Sequence, residues 1–160
     1  MAKEKVRLGY IGLGRRGRGV LRDSVVHMDD VEIVAICDLS EKRLEEGRKI
    51  VVDSGREEPI LTTDYKEVIA NPDIDAVMIM IWWSGRPRMA IEAMKAGKYT
   101  GIEVGCAMDI EECFELVDAY EQTGTPVMML ENCCYGRREL MVLNMVKQGL
   151  FGELVHCSGG

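Results

Sequence analysis

The sequence predicts an α/β fold built on a doubly wound parallel sheet. Three observations point there. Its strand-like runs are continuously apolar, as strands covered on both faces are. Segments with helical periodicity separate those runs one by one, so each strand is followed by a crossover. The first run passes straight into the glycine-rich stretch YIGLGRRGRGV at 10–20. At 160 residues the chain has room for one domain with a full core and little more.

The elements follow in order. VRLGYIGL is a short apolar strand ending in glycines, and the next ten or so residues read as a helix to about Val26. VEIVAICD (31–38) is a second strand. SEKRLEEGRKIVVDSG is a helix with Ser40 as N-cap, Arg43 to Glu46 in its first turns and Gly55 as its stop. The segment 56–73 suggests a short strand at Pro59–Leu61 and a short helix in DYKEVIAN. IDAVMIMIW (74–82) is a third strong strand, and RPRMAIEAMKAGK a helix with Pro87 near its first turn and Gly97 at its end. YTGIEV is a strand, DIEECFELVDAYEQTG an amphipathic helix closed by Gly124, and PVMMLE (126–131) another strand. RRELMVLNMVKQG is a last helix ended by Gly149, and GELVHCSGG starts a further strand. Residues 1–150 are therefore expected to form one domain, with 151–160 opening a second.

The bulk numbers narrow the function. A formal charge of −7 argues against nucleic acid or an anionic membrane surface as partner. The N-terminus has no apolar core of a signal peptide, and no apolar run is long enough to span a bilayer. A cytoplasmic protein is expected. Its six cysteines include no Cys-x-x-Cys pair and there are two histidines, His27 and His156, so no metal site is expected and the thiols read as reduced and buried. His156 reads as structural. Tyr135 either approaches the site or caps the last helix, and Met78, Met80, Met128 and Met129 read as core.

The glycines carry the chemistry. Gly12, Gly14 and Gly17 have the spacing G-x-G-x-x-G, after a strand and at the start of a helix. In that setting the first allows the tight turn, the second lets the backbone approach a pyrophosphate, and the third lets helix and strand pack closely. The helix N-terminus offers free N–H groups and partial positive charge to phosphates. Asp38 ends the second strand 21 residues after Gly17, where a carboxylate accepts hydrogen bonds from a ribose and repels a 2′-phosphate. NAD is the expected cofactor. Arg15 and Arg16 lie in the phosphate loop, either lining the phosphates or as solvated helix-start side chains.

These features resemble the nucleotide domain of the Gfo/Idh/MocA family of nicotinamide-dependent sugar oxidoreductases, notably VRLGYIGLGRRG, AICD and AIEAMKAGKYTGIEV. The stretch from EECFELVDAYEQTG through GELVHCSGG is similar to the branch containing NAD-dependent α-N-acetylgalactosaminidases. The resemblance implies that Arg15 and Arg16 touch NAD, that Asp38 holds its ribose, and that Trp83, Ser84, Gly85 and Arg86 form a cofactor-contacting turn. It implies cofactor contacts for Glu103 and Val104, and places Asn132 beside the nicotinamide half of the site. Arg86 stands where that branch commonly has histidine, and Trp82 where it has proline. Sugar dehydrogenases of the wider family carry Glu-Lys-Pro at 103–105, the lysine being the acid/base. Here the triplet is Glu103-Val104-Gly105, and no catalytic residue is assigned. The resemblance further implies a longer protein, a homo-oligomer acting on a sugar or glycoside through a domain beyond this chain. It implies a redox-assisted elimination in which NAD transiently oxidises the sugar. The alternatives are a sugar or cyclitol dehydrogenase with net NAD turnover, and a non-catalytic NAD-binding regulator.

Overall fold

The computed structural model describes residues 5–158, which divide after Leu130 into two compact units. The first holds six strands: β1 (Val6–Ile11), β2 (Val31–Cys37), β3 (Ile60–Thr62), β4 (Ala76–Ile79), β5 (Tyr99–Ile102) and β6 (Val127–Met129). All pair in parallel, in the order β3-β2-β1-β4-β5-β6. Its helices are α1 (Arg15–Asp23), α2 (Glu41–Asp53), α3 (Tyr65–Ala70), α4 (Arg86–Lys95) and α5 (Ile110–Thr123). The chain winds outward from β1 to β3 and then returns to lay β4 on the other side of β1. A crevice opens at such a reversal, at the carboxyl ends of the strands.

Both faces of the sheet are covered, which is why its strands read as unbroken apolar runs. On one face Leu13, Leu21, Leu44 and Val51 from α1, α2 and the loop before α1 pack on Leu8, Tyr10, Ile33 and Ile36. On the other, Val68, Met89, Ala93, Met94, Leu116 and Ala119 from α3, α4 and α5 pack on Ile11, Val77, Ile79 and Ile102. Alternate residues of β1 thus serve opposite layers, as the two-residue period of a strand requires.

Local chemistry sets the helix starts. Asp64 caps α3 by accepting the Lys66 N–H, and Asp109 caps α5 by accepting the Glu112 N–H. The Glu112 carboxylate reaches back to the Met108 N–H, a reciprocal arrangement that satisfies two unpaired donors. Ser40 does stand at the N-cap of α2, but its hydroxyl makes no capping bond.

Several expectations change. The first helix ends at Asp23 rather than near Val26. Ser24 leaves helical geometry there, and a 3-10 turn at Val25–His27 drives Val25 and Val26 into the core. Met128 and Met129 are exposed rather than core, because β6 is a three-residue edge strand. Cys133, Cys134 and Cys157 are exposed thiols, whereas Cys37 is buried, and all six cysteines are unbridged. The second unit contains a 3-10 turn at Cys133–Tyr135 and α6 (Arg137–Lys147). Tyr135 is exposed in that turn, one residue before the cap Gly136. Residues 151–158, His156 among them, form no strand, since a strand exists only against a neighbour that completes its ladder. The remaining expected strand residues, 159 and 160, lie outside the described residues.

Ionic contacts fasten the amino ends of β1 and β4. Arg7 donates to Asp75 from Nε and a terminal nitrogen at 3.1 and 2.8 Å, and its backbone N–H reaches the same carboxylate at 2.9 Å. These bonds hold the Asp75 carboxyl at about 2, below its ordinary 3.8. A carboxyl lowered on folding stabilises the fold above its unfolded value and loses that contribution as pH falls through its folded value. Asp75→Asn is therefore expected to lower the melting temperature at neutral pH. The difference from the parent protein should shrink as pH drops from about 4 to about 2, read by thermal melts at a series of pH values.

Candidate functional site

The proposed site residues other than Asn132 gather at one edge of the first unit. Gly12 to Gly17 follow β1, Asp38 follows β2, Trp83 to Arg86 follow β4, and Glu103 and Val104 follow β5. Every one of these segments leaves the carboxyl end of a strand on or beside the point where the winding reverses. Asn132 belongs to the second unit, where it opens the 3-10 turn at Cys133–Tyr135.

The three glycines have separate jobs. Gly12 has φ +100°, and a Cβ there would stand 2.7 Å from the Met80 carbonyl carbon. Only glycine combines that backbone with that contact. At Gly17 a Cβ would stand 2.0 Å from the Gly12 oxygen, so α1 lies directly against the turn that precedes it. Around Gly14 a Cβ would meet nothing within 4 Å. This is the open face of the cradle, where a ligand's phosphates can come up to the backbone.

Three hydrogen bonds that residue spacing did not reveal fix this loop. The buried hydroxyl of Tyr10 donates to the Gly17 carbonyl at 2.7 Å and ties α1 to β1. The Leu13 N–H donates to Asp38 Oδ2 at 2.7 Å, and the Ser40 N–H to Asp38 Oδ1 at 2.9 Å. The largely buried Asp38 carboxylate is thus fixed in direction before any ribose arrives. Arg43 lies 3.7 Å from Oδ1. Behind it, burial and the neighbouring carboxylates Asp38, Asp64 and Glu67 push the Cys37 thiol up to about 12, so that thiol stays protonated at neutral pH.

The first turn of α1 carries Arg15, Arg16 and Arg18 and no acidic residue. Cations at the positive end of a helix are unfavourable, and the structure offsets them with carboxylates from other elements. Arg16 Nε meets Glu103 Oε2 at 2.7 Å, and Arg18 Nε meets Glu46 Oε2 at 3.2 Å. Arg18 also donates to the Leu13 carbonyl at 2.5 Å. Arg15 is exposed at the mouth of the loop. The same end of the helix is left strongly receptive to an anion.

Glu103 is buried, with Oε1 accepting the Val104 N–H at 3.0 Å. Burial pushes its carboxyl up, but the bonds from Arg16 and Val104 and the charges of Arg16 and Arg86 outweigh it and leave Glu103 below its ordinary range. Arg86, for which the family resemblance implies a cofactor contact, is 4% exposed. Its Nε donates to the Ile81 carbonyl at 2.8 Å, and one terminal nitrogen donates to the carbonyls of Glu103 at 2.8 Å, Val104, and Gly105 at 3.0 Å. Burial lowers the Arg86 pKa and the charge of Glu103 opposes that. Trp83 and Ser84 are exposed in the 3-10 turn Trp83–Gly85, and Trp83 stacks on Trp82 with centroids 6.2 Å apart. Among the described residues, no group of three His, Cys, Asp or Glu could hold a metal ion, and no helix is long and apolar enough to cross a membrane.

Residues 6–131 match the Gfo/Idh/MocA oxidoreductase family, NAD-binding Rossmann fold. A glycosyl hydrolase family 109 protein of Shewanella pealeana is 45% identical over 157 residues, which cover 96% of this chain and 34% of that protein. The chain spans about a third of the length of the curated relatives it matches. Among solved structures, myo-inositol 2-dehydrogenase from Lactobacillus plantarum is 27% identical with a TM-score of 0.83, over 95% of this chain and 44% of that one. The scyllo-inositol dehydrogenase from Lactobacillus casei shares the fold, with a TM-score of 0.85 at 21% identity over 96% of this chain and 44% of that one.

The glycine geometry separates binding from folding. Gly17→Ala should cost roughly 2–4 kcal/mol or fail to fold, because its Cβ collides with backbone. Gly14→Val should cost about 1 kcal/mol or less, as a poorer N-cap. Its side chain should nevertheless abolish NAD binding by filling the open face. Denaturant midpoints read the first effect and NAD titration the second.

Proposed function

The chain belongs to the Gfo/Idh/MocA oxidoreductase family as its NAD-binding Rossmann part, and from this we propose that the crevice at the carboxyl ends of β1, β2, β4 and β5 is where NAD binds. The observation that carries the reading is the glycine cradle, open at Gly14 and closed against protein at Gly12 and Gly17. The first-turn N–H groups of α1, with Arg15 and Arg16, take the pyrophosphate. Asp38, already aimed by the Leu13 and Ser40 N–H groups, takes the adenosine ribose hydroxyls. Trp83, Ser84 and Gly85, with Glu103 and Val104, line the part of the crevice beyond β4.

When bound, NAD supplies a hydride acceptor and donor for a sugar carbon. The residues of this chain bind and orient it. Glu103 is ionised and engaged with Arg16 and the Val104 N–H, so it does not give up a proton near neutral pH. Val104 has no titratable group. The whole protein is therefore read as a glycosidase of the NAD-dependent α-N-acetylgalactosaminidase kind, in line with its similarity to the Shewanella pealeana protein. The sugar-dehydrogenase reading is favoured by the inositol dehydrogenase likeness at 27% identity. The whole protein, expected to be a cytoplasmic homo-oligomer, should release aglycone from a glycoside without accumulating NADH. Accumulation of NADH with free sugars would favour the dehydrogenase instead.

Cofactor choice provides a direct check on Asp38. NAD should bind at least about tenfold more tightly than NADP, since a 2′-phosphate would approach a fixed carboxylate. Asp38→Ala should weaken NAD by about 1–3 kcal/mol and narrow the gap between the two cofactors. Equal affinities in the parent protein would contradict the ribose assignment.

A further inference from the structure

Arg86 is buried at the start of α4, and its Nε and one terminal nitrogen both donate to backbone carbonyls. One terminal nitrogen gathers the carbonyls of three successive residues, Glu103, Val104 and Gly105, while Nε holds the Ile81 carbonyl at the end of the β4 segment. Three consecutive carbonyls can converge on one atom only if the chain curls tightly. Gly105 provides the curl with φ +80°. The Trp83 indole closes over it, for a Cβ at Gly105 would stand 2.8 Å from Trp83 Cε2. The peptide 103–105 therefore has a core-like anchor although it lies at the rim.

That anchor determines where Glu103 points. Its N–H donates to the Ile79 carbonyl at 3.2 Å, its carbonyl accepts from Arg86, and its carboxylate takes the Val104 N–H and Arg16 Nε. With backbone and side chain both fixed, Glu103 presents one oxygen to the first turn of α1. Arg16 is a long, half-exposed side chain. Holding it in one direction before the ligand arrives reduces the ordering cost of binding.

We propose that Arg86 is a positioning residue of the cofactor crevice: it fixes the 103–105 peptide so that Glu103 holds Arg16 in the direction in which it meets the pyrophosphate. The proposal rests on the NAD-binding reading given above. Arg86 touches no ligand in this scheme. It acts through Glu103, and Glu103 through Arg16.

A double-mutant cycle on NAD affinity tests it. Arg86→Gln and Glu103→Gln should each weaken NAD about tenfold or more, and the double variant should be no weaker than the worse single one. Additive losses would show that Arg86 acts independently of Glu103. Unchanged affinity in folded Arg86→Gln would show that it is only a clamp. Arg86→Lys keeps the charge and can still reach two carbonyls, as Lys98 does at Asn71 and Ile74. It serves if the glutamine variant does not fold, and it should fall between parent and Glu103→Gln in affinity; parent-like affinity there would overturn the scheme.

The pH profile gives a second readout. Glu103 is faced by Arg16 from α1, Arg86 from α4 and Tyr10 from β1. Without the Arg86 charge, the acid-side loss of NAD affinity should begin at higher pH in Arg86→Gln than in the parent. It should not move when Glu103→Gln is already present. An unmoved profile in Arg86→Gln would overturn the scheme. If the parent protein does not bind NAD at all, the cofactor reading falls and this inference with it, which is distinguishable from a parent that binds and variants that bind equally well.

Discussion

The structure depends on how closely α1 lies on the turn after β1. No side-chain atom separates the Gly17 Cα from the Gly12 carbonyl, and a single methyl would stand 2.0 Å from that oxygen. Because the approach is that close, the Tyr10 hydroxyl can reach the Gly17 carbonyl from within the strand, and the Leu13 N–H can reach Asp38 at the end of β2. The helix is thereby held with its first turn at the carboxyl edge of the sheet. Bulk at Gly12 or Gly17 would displace all three contacts together. Bulk at Gly14 would displace none of them, since that position faces open space.

Charge is organised around the same point. Arginines at the positive end of α1 oppose its dipole, and in isolation the helix would be better without them. Their carboxylate partners come from other elements, Glu103 after β5 and Glu46 on α2. The result is a rim in which a cationic helix start is balanced by side chains that the fold holds in place. Partial balance suits a phosphate site. Full neutralisation would remove the attraction for an anion, while uncompensated arginines would splay apart and lose direction.

Much of this was legible in the sequence because parallel strands leave an unmistakable trace. VEIVAICD and IDAVMIMIW are apolar throughout because both faces of β2 and β4 are covered, and the glycine spacing and Asp38 sit where the winding rule puts them. Even β3 and α3 could be read within the ambiguous segment 56–73, from Pro59–Leu61 and DYKEVIAN. What could not be read were contacts to backbone. Arg86 looks like a helix-start arginine, and nothing in its neighbourhood says that its acceptors are carbonyls 17 to 19 residues further on. Tyr10 lies in the apolar run of β1, and nothing in that run says that its hydroxyl has a partner set by the helix path. Met128 and Met129 were misread for a related reason. An edge strand and a central strand have the same local pattern when the edge is short.

The site also constrains where catalytic protons can come from. A carboxylate that is buried, engaged with an arginine and bonded to a backbone N–H is stabilised as the anion. Glu103 is in that state, and the next residue, Val104, carries no proton. At this rim Glu103 is held as a weakly basic anion engaged with Arg16 and the Val104 N–H, so it has no proton to donate near neutral pH. The fixed geometry of residues 103–105 then favours binding: an anchored, ionised Glu103 holds Arg16 steady, whereas a titrating group at the same place would release Arg16 each time it took up a proton.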